Sequence, residues 1–250
     1  MHIDKSHGIL NNTINTVFSD INNNVWLGLQ NGISYLQVSG SNTFLLDTKG
    51  IFGTVYASYL EDNILYLGTN QGLYYKDISD PYSDPIIIDK DLEQIWEIQK
   101  VDDQILVGSH KGLFEVDNKK TETVHIEGGA WKYIKHPKFD DLLYVGFYSG
   151  IGVFKKENGK WNFDKKLEAY GESSRFLEFD KLGQMWVAHP GKGYYRLRLT
   201  EDGLNLKEVE FYGVKNSNIE TYAYICKIDD ELVFFNPKGF FNYDACLLYT

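Results

Sequence analysis

Short runs of alternating apolar and polar residues follow one another along the whole chain, and turn-forming residues separate them. INTVFSD from Ile14 and VYASYLED from Val55 are examples, rich in β-branched and aromatic side chains and followed by Asn- or Asp-containing turns. Alternation with a period of two residues, interrupted by such turns, is typical of antiparallel β-hairpins. No stretch has the apolar period and the caps of a substantial helix. The pattern predicts an all-β chain.

The runs recur as a unit of about 40 residues, which is the period of a repeat architecture. In the first four copies an apolar run ends at a glycine, and a second glycine follows four residues later. The last two copies keep only the second glycine, with Ala188 and Phe235 at the place of the first. The copies read VWLGLQNGISYL from Val25, LYLGTNQGLYYK from Leu65, ILVGSHKGLFEV from Ile105, LYVGFYSGIGVF from Leu143, MWVAHPGKGYYRL from Met185 and LVFFNPKGFFNY from Leu232.

Each copy contains four predicted strands, which is the content of one blade of a β-propeller. Blades stacked around an axis bury both faces, which explains why the strands are apolar on both sides. We expect the first glycines to allow close packing and the second to supply a positive φ in the hairpin. The sequence predicts one β-propeller domain over residues 1–250 with six blades, at roughly 8–47, 54–89, 94–127, 130–168, 173–212 and 219–250; seven blades are the main alternative.

The stretch GILNNTINTVFSDINNNVWLGLQNGISYL, from Gly8 to Leu36, resembles the two-component regulator propeller repeat. Asp180, Gly183 and Trp186 repeat its turn and tryptophan in the fifth copy. The turn DINNNVW from Asp20 also resembles the Asp-box of sialidase propellers, in which the carboxylate accepts hydrogen bonds from backbone N–H groups two residues on. Such a turn stabilises a hairpin and carries no catalytic implication.

The resemblance implies an extracytoplasmic sensor region, often one for carbohydrate. In this family the propellers precede an immunoglobulin-like triple-tyrosine domain, a membrane helix, and a histidine kinase or a LuxR-like DNA-binding domain. We therefore expect the chain to be part of a longer membrane-anchored regulator, periplasmic or extracellular, which could form a homodimer through regions outside this chain.

One column of the repeat has the chemistry of a binding site. Aligning the copies places three aromatic residues, two cations and an amide at the start of the innermost strands, where equivalent positions converge on one mouth of the channel. Aromatic faces stack on sugar rings, and arginine binds carboxylates or sulfates with two parallel hydrogen bonds. The column predicts a site for a small polar ligand, such as an acidic oligosaccharide, at Asn15, Tyr56, Trp96, Lys132, Arg175 and Tyr222.

Hairpin loops near that mouth could add Gln30, Asn70, His110, Tyr148 and His189. The alternative is that the column residues are merely solvated or packed between blades. A sensor predicts an aromatic and cationic pocket at the mouth, whereas a protein-binding scaffold predicts a plain channel and an exposed apolar patch. Both functions stay open at this point.

Composition narrows the possible partners. The formal net charge of −10 and the lack of a basic stripe argue against nucleic acid. The apolar runs are too short to insert in a membrane, and the N-terminus has no apolar signal segment. The two cysteines, Cys226 and Cys246, match no metal or redox spacing, and their predicted strands are too far apart for a disulfide.

Evidence for catalysis is weak. The histidines are scattered singly, no HExxH or GxSxG motif is present, and only one arginine lies in the column. The column contains no carboxylate, so it offers no acid–base pair for a hydrolase or lyase. We predict a protein that is not an enzyme, with no cofactor and no metal site.

Overall fold

The computed structural model describes residues 4–5, 8–37, 45–213, 222–237 and 239–242. These residues form 22 β-strands and contain no α-helix, so the all-β prediction is confirmed. The chain divides into two compact units, Met1–Gly53 and Thr54–Thr250. The strands form six antiparallel sheets of three or four strands, one for each predicted repeat.

The first unit contains the first sheet, with the strand order β1-β2-β3: β1 (Ile14–Ser19), β2 (Val25–Leu29) and β3 (Gly32–Leu36). The carboxylate of Asp20 stabilises the turn between β1 and β2. It accepts hydrogen bonds from the backbone N–H groups of Asn22 (2.9 Å) and Asn24 (3.0 Å) and from Nε1 of Trp26 (3.1 Å). The Trp26 indole and these N–H groups hold the pKa of Asp20 below its usual value. The predicted hairpin-stabilising turn is confirmed.

The second unit contains the other five sheets, each with its strands in chain order. The strands are β4 (Val55–Glu61), β5 (Ile64–Thr69), β6 (Gly72–Asp77), β7 (Ile86–Asp89), β8 (Ile95–Val101), β9 (Gln104–Ser109), β10 (Gly112–Asp117), β11 (Lys120–Ile126), β12 (Ala130–Lys135), β13 (Leu142–Phe147), β14 (Ile151–Glu157), β15 (Lys160–Lys166), β16 (Phe176–Phe179), β17 (Met185–His189), β18 (Gly193–Leu199), β19 (Leu206–Gly213), β20 (Tyr224–Ile228), β21 (Glu231–Asn236) and β22 (Gly239–Asn242).

Within the second unit, the cores lie between consecutive sheets. Leu106 and Leu113 of the third sheet pack with Tyr133 and Leu143 of the fourth, and all four side chains are fully buried. Strand β13 is buried along its whole length because sheets cover both of its faces. The first strands β4, β8, β12, β16 and β20 are neighbours in that order. This is the face-to-face stacking that the doubly apolar strands predicted.

Both glycines of the repeat have the predicted roles. A Cβ at Gly108 would lie 2.6 Å from the carbonyl oxygen of Ala130, the first residue of β12, and a Cβ at Gly146 would lie 2.2 Å from that of Ser174, just before β16. Their absent side chains therefore allow adjacent sheets to approach closely. The second glycine has a positive φ, for example +146° at Gly112, a conformation that side-chain-bearing residues rarely adopt.

Ring closure, domain number and disulfide bonding are three predicted features that depend on more than the described residues. Closure of the sheets into a six-bladed ring and the single domain over residues 1–250 stay predictions. Cys226 lies in β20 as a free thiol, but Cys246 lies outside the described residues, so the predicted absence of a disulfide is untested. Among the described residues, no helix is long and apolar enough to cross a membrane.

Candidate functional site

A β-bulge interrupts the first strand of the second, third and fourth sheets near its beginning. The pairing register shifts between Val55 and Ala57, between Ile95 and Glu97, and between Ala130 and Lys132. The extra residue is aromatic each time, and these residues are Tyr56, Trp96 and Trp131. Bulges redirect a side chain relative to the regular pleat and are frequent next to binding sites. The first sheet has the same shift at Asn15, an exposed residue of the first unit.

The strand register corrects the sequence alignment in the fourth copy. Glu97 lies opposite Gly108, and Lys132 lies opposite the equivalent Gly146, so Trp131 rather than Lys132 is the counterpart of Trp96. Six residues connect β12 to β13, whereas two connect β8 to β9. Because the connection lengths differ, the bulge does not lie a fixed number of residues before the first glycine of the copy.

The sixth copy needs a similar correction. Tyr224 lies opposite Phe235, so the buried Ala223, not Tyr222, occupies the position equivalent to Arg175. Tyr222 is 49% exposed and is not one of the described residues that line the cavity described next. Sequence alignment missed the shift because two residues connect β20 to β21 whereas five connect β16 to β17, so equal distances from the glycine position do not reach the same place in the strand.

The bulged aromatic residues form a continuous row across three sheets. The ring centroids of Tyr56 and Trp96 are 5.3 Å apart, and those of Trp96 and Trp131 are 4.5 Å apart. The guanidinium carbon of Arg175 lies 4.8 Å from the centre of the Trp131 ring, which extends the row to the fifth sheet. A cavity of about 220 Å³ lies along this row. Its lining residues are Tyr56, Trp96, Glu97, Trp131, Lys132, Arg175 and Phe176.

Four of the predicted residues, Tyr56, Trp96, Lys132 and Arg175, therefore line one cavity. Sequence reasoning missed Glu97, Trp131 and Phe176. Recognising the bulge in the sequence would have required the register of β12 against β13, which the longer connection between them conceals. The glycine-opposed residues Glu97 and Lys132 would then have been assigned to a separate column, together with Ala57 of the second copy.

Arg175 is the cation that can meet a ligand. It is exposed, and no ion pair found among the described residues includes it. The other two arginines, Arg196 and Arg198, pair with Glu210 and Glu208. Stacking on Trp131 orients the Arg175 guanidinium while leaving its N–H groups available for an oxyanion.

Lys132 is not the second free cation that the sequence suggested. Its Nζ lies 3.5 Å from Oε1 of Glu97 on β8 and 3.9 Å from Oε1 of Glu178 on β16. Burial raises the pKa of both carboxyl groups, and the Lys132 ammonium partly offsets that rise. Lys132 is therefore shared between two largely buried carboxyl groups, and among the described residues that line the cavity Arg175 is the cation without a carboxylate partner.

Two residues of the hairpin loops, His110 and Tyr148, hold the aromatic row in place. The Tyr148 hydroxyl accepts a hydrogen bond from Trp96 Nε1 (3.1 Å) and lies 2.8 Å from His110 Nδ1. The Tyr148 ring also packs on Trp131, with 4.8 Å between centroids. Burial raises the pKa of Tyr148, which keeps the phenol protonated. His110 and Tyr148 are thus linked to the aromatic row, Tyr148 directly and His110 through the Tyr148 hydroxyl.

The other predicted loop residues have different roles. Asn70 Oδ1 accepts the backbone N–H of Thr54 (2.9 Å) and so holds the chain just before β4. Nδ1 of His189 accepts the N–H of Gly191 within its own turn (3.1 Å). Gln30 belongs to the first unit and donates its backbone N–H to Thr13 (3.2 Å). The described residues contain no cluster of three or more His, Cys, Asp or Glu side chains able to hold a metal ion.

Solved structures share this architecture. The extracellular domain of the hybrid two-component system BT3049 from B. thetaiotaomicron superimposes with a TM-score of 0.61 at 15% identity, covering 98% of this chain and 36% of the other. That of BT4673 from the same organism gives 0.58 at 18% identity, covering 94% and 33%. The WD40 β-propeller domain of Doa1 gives 0.52 at 12% identity, covering 91% and 77%.

The chain spans about a third of the length of the two extracellular domains. No protein-family model and no curated protein sequence matches the chain. At these identities the likeness concerns the fold and not the ligand. The antiparallel sheets of this chain are similar in fold to the extracellular domains of B. thetaiotaomicron two-component regulators and to the WD40 β-propeller domain of Doa1.

Proposed function

We propose that this chain is a non-catalytic, ligand-sensing propeller that binds a small polar ligand, such as an acidic sugar, in the cavity beside Arg175. The observation that carries the proposal is the row of Tyr56, Trp96 and Trp131, which ends in an arginine without a carboxylate partner among the described residues. Indole and phenol rings offer flat apolar faces to a sugar ring, and the guanidinium offers paired donors to a carboxylate or sulfate.

The size of the cavity limits what enters it. A volume of about 220 Å³ is below the ~300–1,000 Å³ typical of sites that enclose a drug-sized molecule. One ring-sized group therefore occupies the cavity, and the rest of a longer oligosaccharide extends into solvent. Of the described residues that line the cavity, only Glu97 is a carboxylate, and it is paired with Lys132. Glycosidases ordinarily need two carboxyl groups flanking the bond, which supports a binding role.

We propose that the ligand binds to this chain as part of a longer signalling protein. The similar domains BT3049 and BT4673 are extracellular parts of two-component systems, and this chain corresponds to about a third of their length. We propose the same periplasmic or extracellular location for this chain, in which ligand binding at the cavity is passed to output regions elsewhere in the protein.

Calorimetric titration with D-glucuronate, D-galacturonate and D-glucose tests the proposal. We expect the anionic sugars to bind more tightly than glucose. Arg175→Ala should weaken their binding roughly ten- to a hundredfold, since a hydrogen bond to a charged group contributes about 1.5–3 kcal/mol. Trp131→Ala should weaken the binding of all three sugars, because it removes both the stacking face and the ring that orients Arg175.

Arg198→Ala is the matched control, because it removes an arginine that is paired with Glu208 and does not line the cavity. Its affinities should equal those of the unmodified chain. Thermal melts of each variant verify that it is folded. The proposal fails if none of the sugars binds, or if Arg175→Ala and Trp131→Ala bind them as tightly as Arg198→Ala does.

A further inference from the structure

We propose, resting on the function proposed above, that an anion bound beside Arg175 is taken up together with a proton from solvent, and that Glu97 holds this proton. The cavity wall contains both the arginine that would attract an anion and a carboxylate that would repel it. A site for neutral sugars would not need the arginine, and a site that only attracts anions gains nothing from the acid. Their coexistence in one small cavity points to binding that depends on the charge state of the acid.

Glu97 is held where its charge is poorly solvated. It lies on β8 opposite Gly108 of β9, which has no side chain, and about a quarter of its own side chain is exposed. Burial is the main cause that raises the pKa of its carboxyl group, ahead of the opposing effect of Lys132. The group is therefore closer to accepting a proton than an ordinary surface glutamate is.

The groups that face Glu97 come from three neighbouring strands. From β12, Lys132 approaches it at 3.5 Å, and the buried Tyr133 has its pKa raised partly by the Glu97 charge. From β16, Glu178 competes for the same ammonium and has its pKa raised partly by Glu97. From β4, the phenol of Tyr56 lines the same cavity. Lys132 thus serves both carboxylates, and Lys227 on β20 also lowers the pKa of Glu178. Among the described residues that line the cavity, Arg175 is the one cation left to pair with an arriving anion.

An arriving anion changes this balance in a definite direction. Its charge pairs with Arg175 but also lies in the same 220 Å³ cavity as the Glu97 carboxylate. A like charge at such short range disfavours ionisation, so the pKa of Glu97 rises further in the complex. The complex then binds more protons than the free protein, and by linkage the affinity for the anion increases as the pH falls.

The pH range follows from the same argument. Below the pKa of Glu97 in the free protein, the carboxyl group is neutral in both states and the affinity reaches its upper plateau. Above the pKa in the complex, the carboxylate is charged in both states and the affinity reaches its lower plateau. A nearby charge shifts a carboxyl pKa by on the order of one unit, so the plateaus should differ by about tenfold. A neutral sugar should show no such dependence.

The test is calorimetric titration of the full chain with D-glucuronate from pH 5 to pH 8, in two buffers whose ionisation enthalpies differ. The difference in apparent enthalpy between buffers gives the number of protons taken up. We expect uptake of a fraction of a proton, up to one, with an affinity that rises toward low pH. Glu97→Gln, which mimics the protonated acid, should abolish the uptake, bind with the same affinity from pH 5 to pH 8, and bind more tightly than the unmodified chain does at pH 8.

Two further variants distinguish other proton acceptors. Glu178→Gln removes the second carboxylate, which does not line the cavity, and His110→Gln removes the imidazole that contacts the Tyr148 hydroxyl. Both should retain the uptake. If glucuronate binds without proton uptake, or if the uptake persists in Glu97→Gln, the inference is wrong while the binding site stands. If no anionic sugar binds, both proposals fail together.

Discussion

The hydroxyl group of Tyr148 orders the side chains beside the cavity. Tyr148 accepts a hydrogen bond from Trp96, contacts His110 and packs its ring on Trp131, so residues of the third and fourth sheets meet on it. The neighbouring Gly129 leaves room for this ring, since a Cβ there would lie 2.1 Å from a ring carbon of Tyr148. Tyr148 does not line the cavity, so it acts on the site by positioning the two tryptophans.

At the residue scale, we predict that Tyr148→Phe lowers stability only slightly but weakens ligand binding. The ring remains, and water can replace either partner at this half-buried site, so the two lost hydrogen bonds should together cost less than about 1 kcal/mol. Urea unfolding measures the first effect, and titration with D-glucuronate measures the second. Unchanged affinity would show that the tryptophans keep their orientation without the hydroxyl.

At the scale of strands and sheets, two local features bring the aromatic row together. The bulges place Tyr56, Trp96 and Trp131 at the same end of three first strands, and the glycines of the second strands let consecutive sheets approach. The tightest of these approaches is at Gly146, where the missing Cβ would overlap the carbonyl oxygen of Ser174. Ser174 directly precedes Arg175, so this contact also sets the position of the arginine.

We therefore predict that Gly146→Ala destabilises the protein by about 1–3 kcal/mol, the usual cost of overpacking a well-packed interior. The backbone of Ser174 must shift, which should also reduce anion affinity through Arg175. Gly171→Ala is the matched control, since a Cβ there would have no atom within 4 Å and the residue has no positive φ. Urea unfolding of both variants provides the measurement, and equal stabilities would contradict the packing argument.

At the scale of the whole second unit, the Glu97–Lys132–Glu178 cluster connects the third, fourth and fifth sheets. Both carboxyl groups have pKa values raised mainly by burial. A raised folded-state pKa means that the folded protein binds more protons than the unfolded chain does. Stability associated with these acids is therefore present at low pH and is lost as the pH rises from about 4.5, the ordinary value, through the folded-state pKa.

We predict that the free energy of unfolding of the unmodified chain decreases between pH 5 and pH 8 relative to that of Glu97→Gln. The variant has no acid to deprotonate at this position, so its pH profile should be flatter. Urea unfolding at a series of pH values compares the two slopes. Parallel profiles would show that Glu97 ionises in the folded state as it does in the unfolded chain.

The sequence by itself determined the features that depend on neighbours along the chain. Six sheets follow from the repeated apolar runs, and the hairpin turns follow from Asp20 and from Asp180, whose Oδ1 accepts the N–H groups of Leu182 and Gln184. The positive φ at Gly112 was likewise predictable. The turns and backbone angles involve residues that are only a few positions apart, so residue type and spacing along the chain are enough to predict them.

Only the tertiary structure decided which side chains share the cavity and which charges are paired. Trp131 replaced Lys132 in the aromatic row because a bulge and a longer connection shifted the register by one residue. Lys132 meets Glu97 and Glu178, residues 35 and 46 positions away, only because sheets three to five pack face to face. Contacts between sheets depend on register and packing distance, which a one-residue bulge alters without leaving a mark in the apolar pattern.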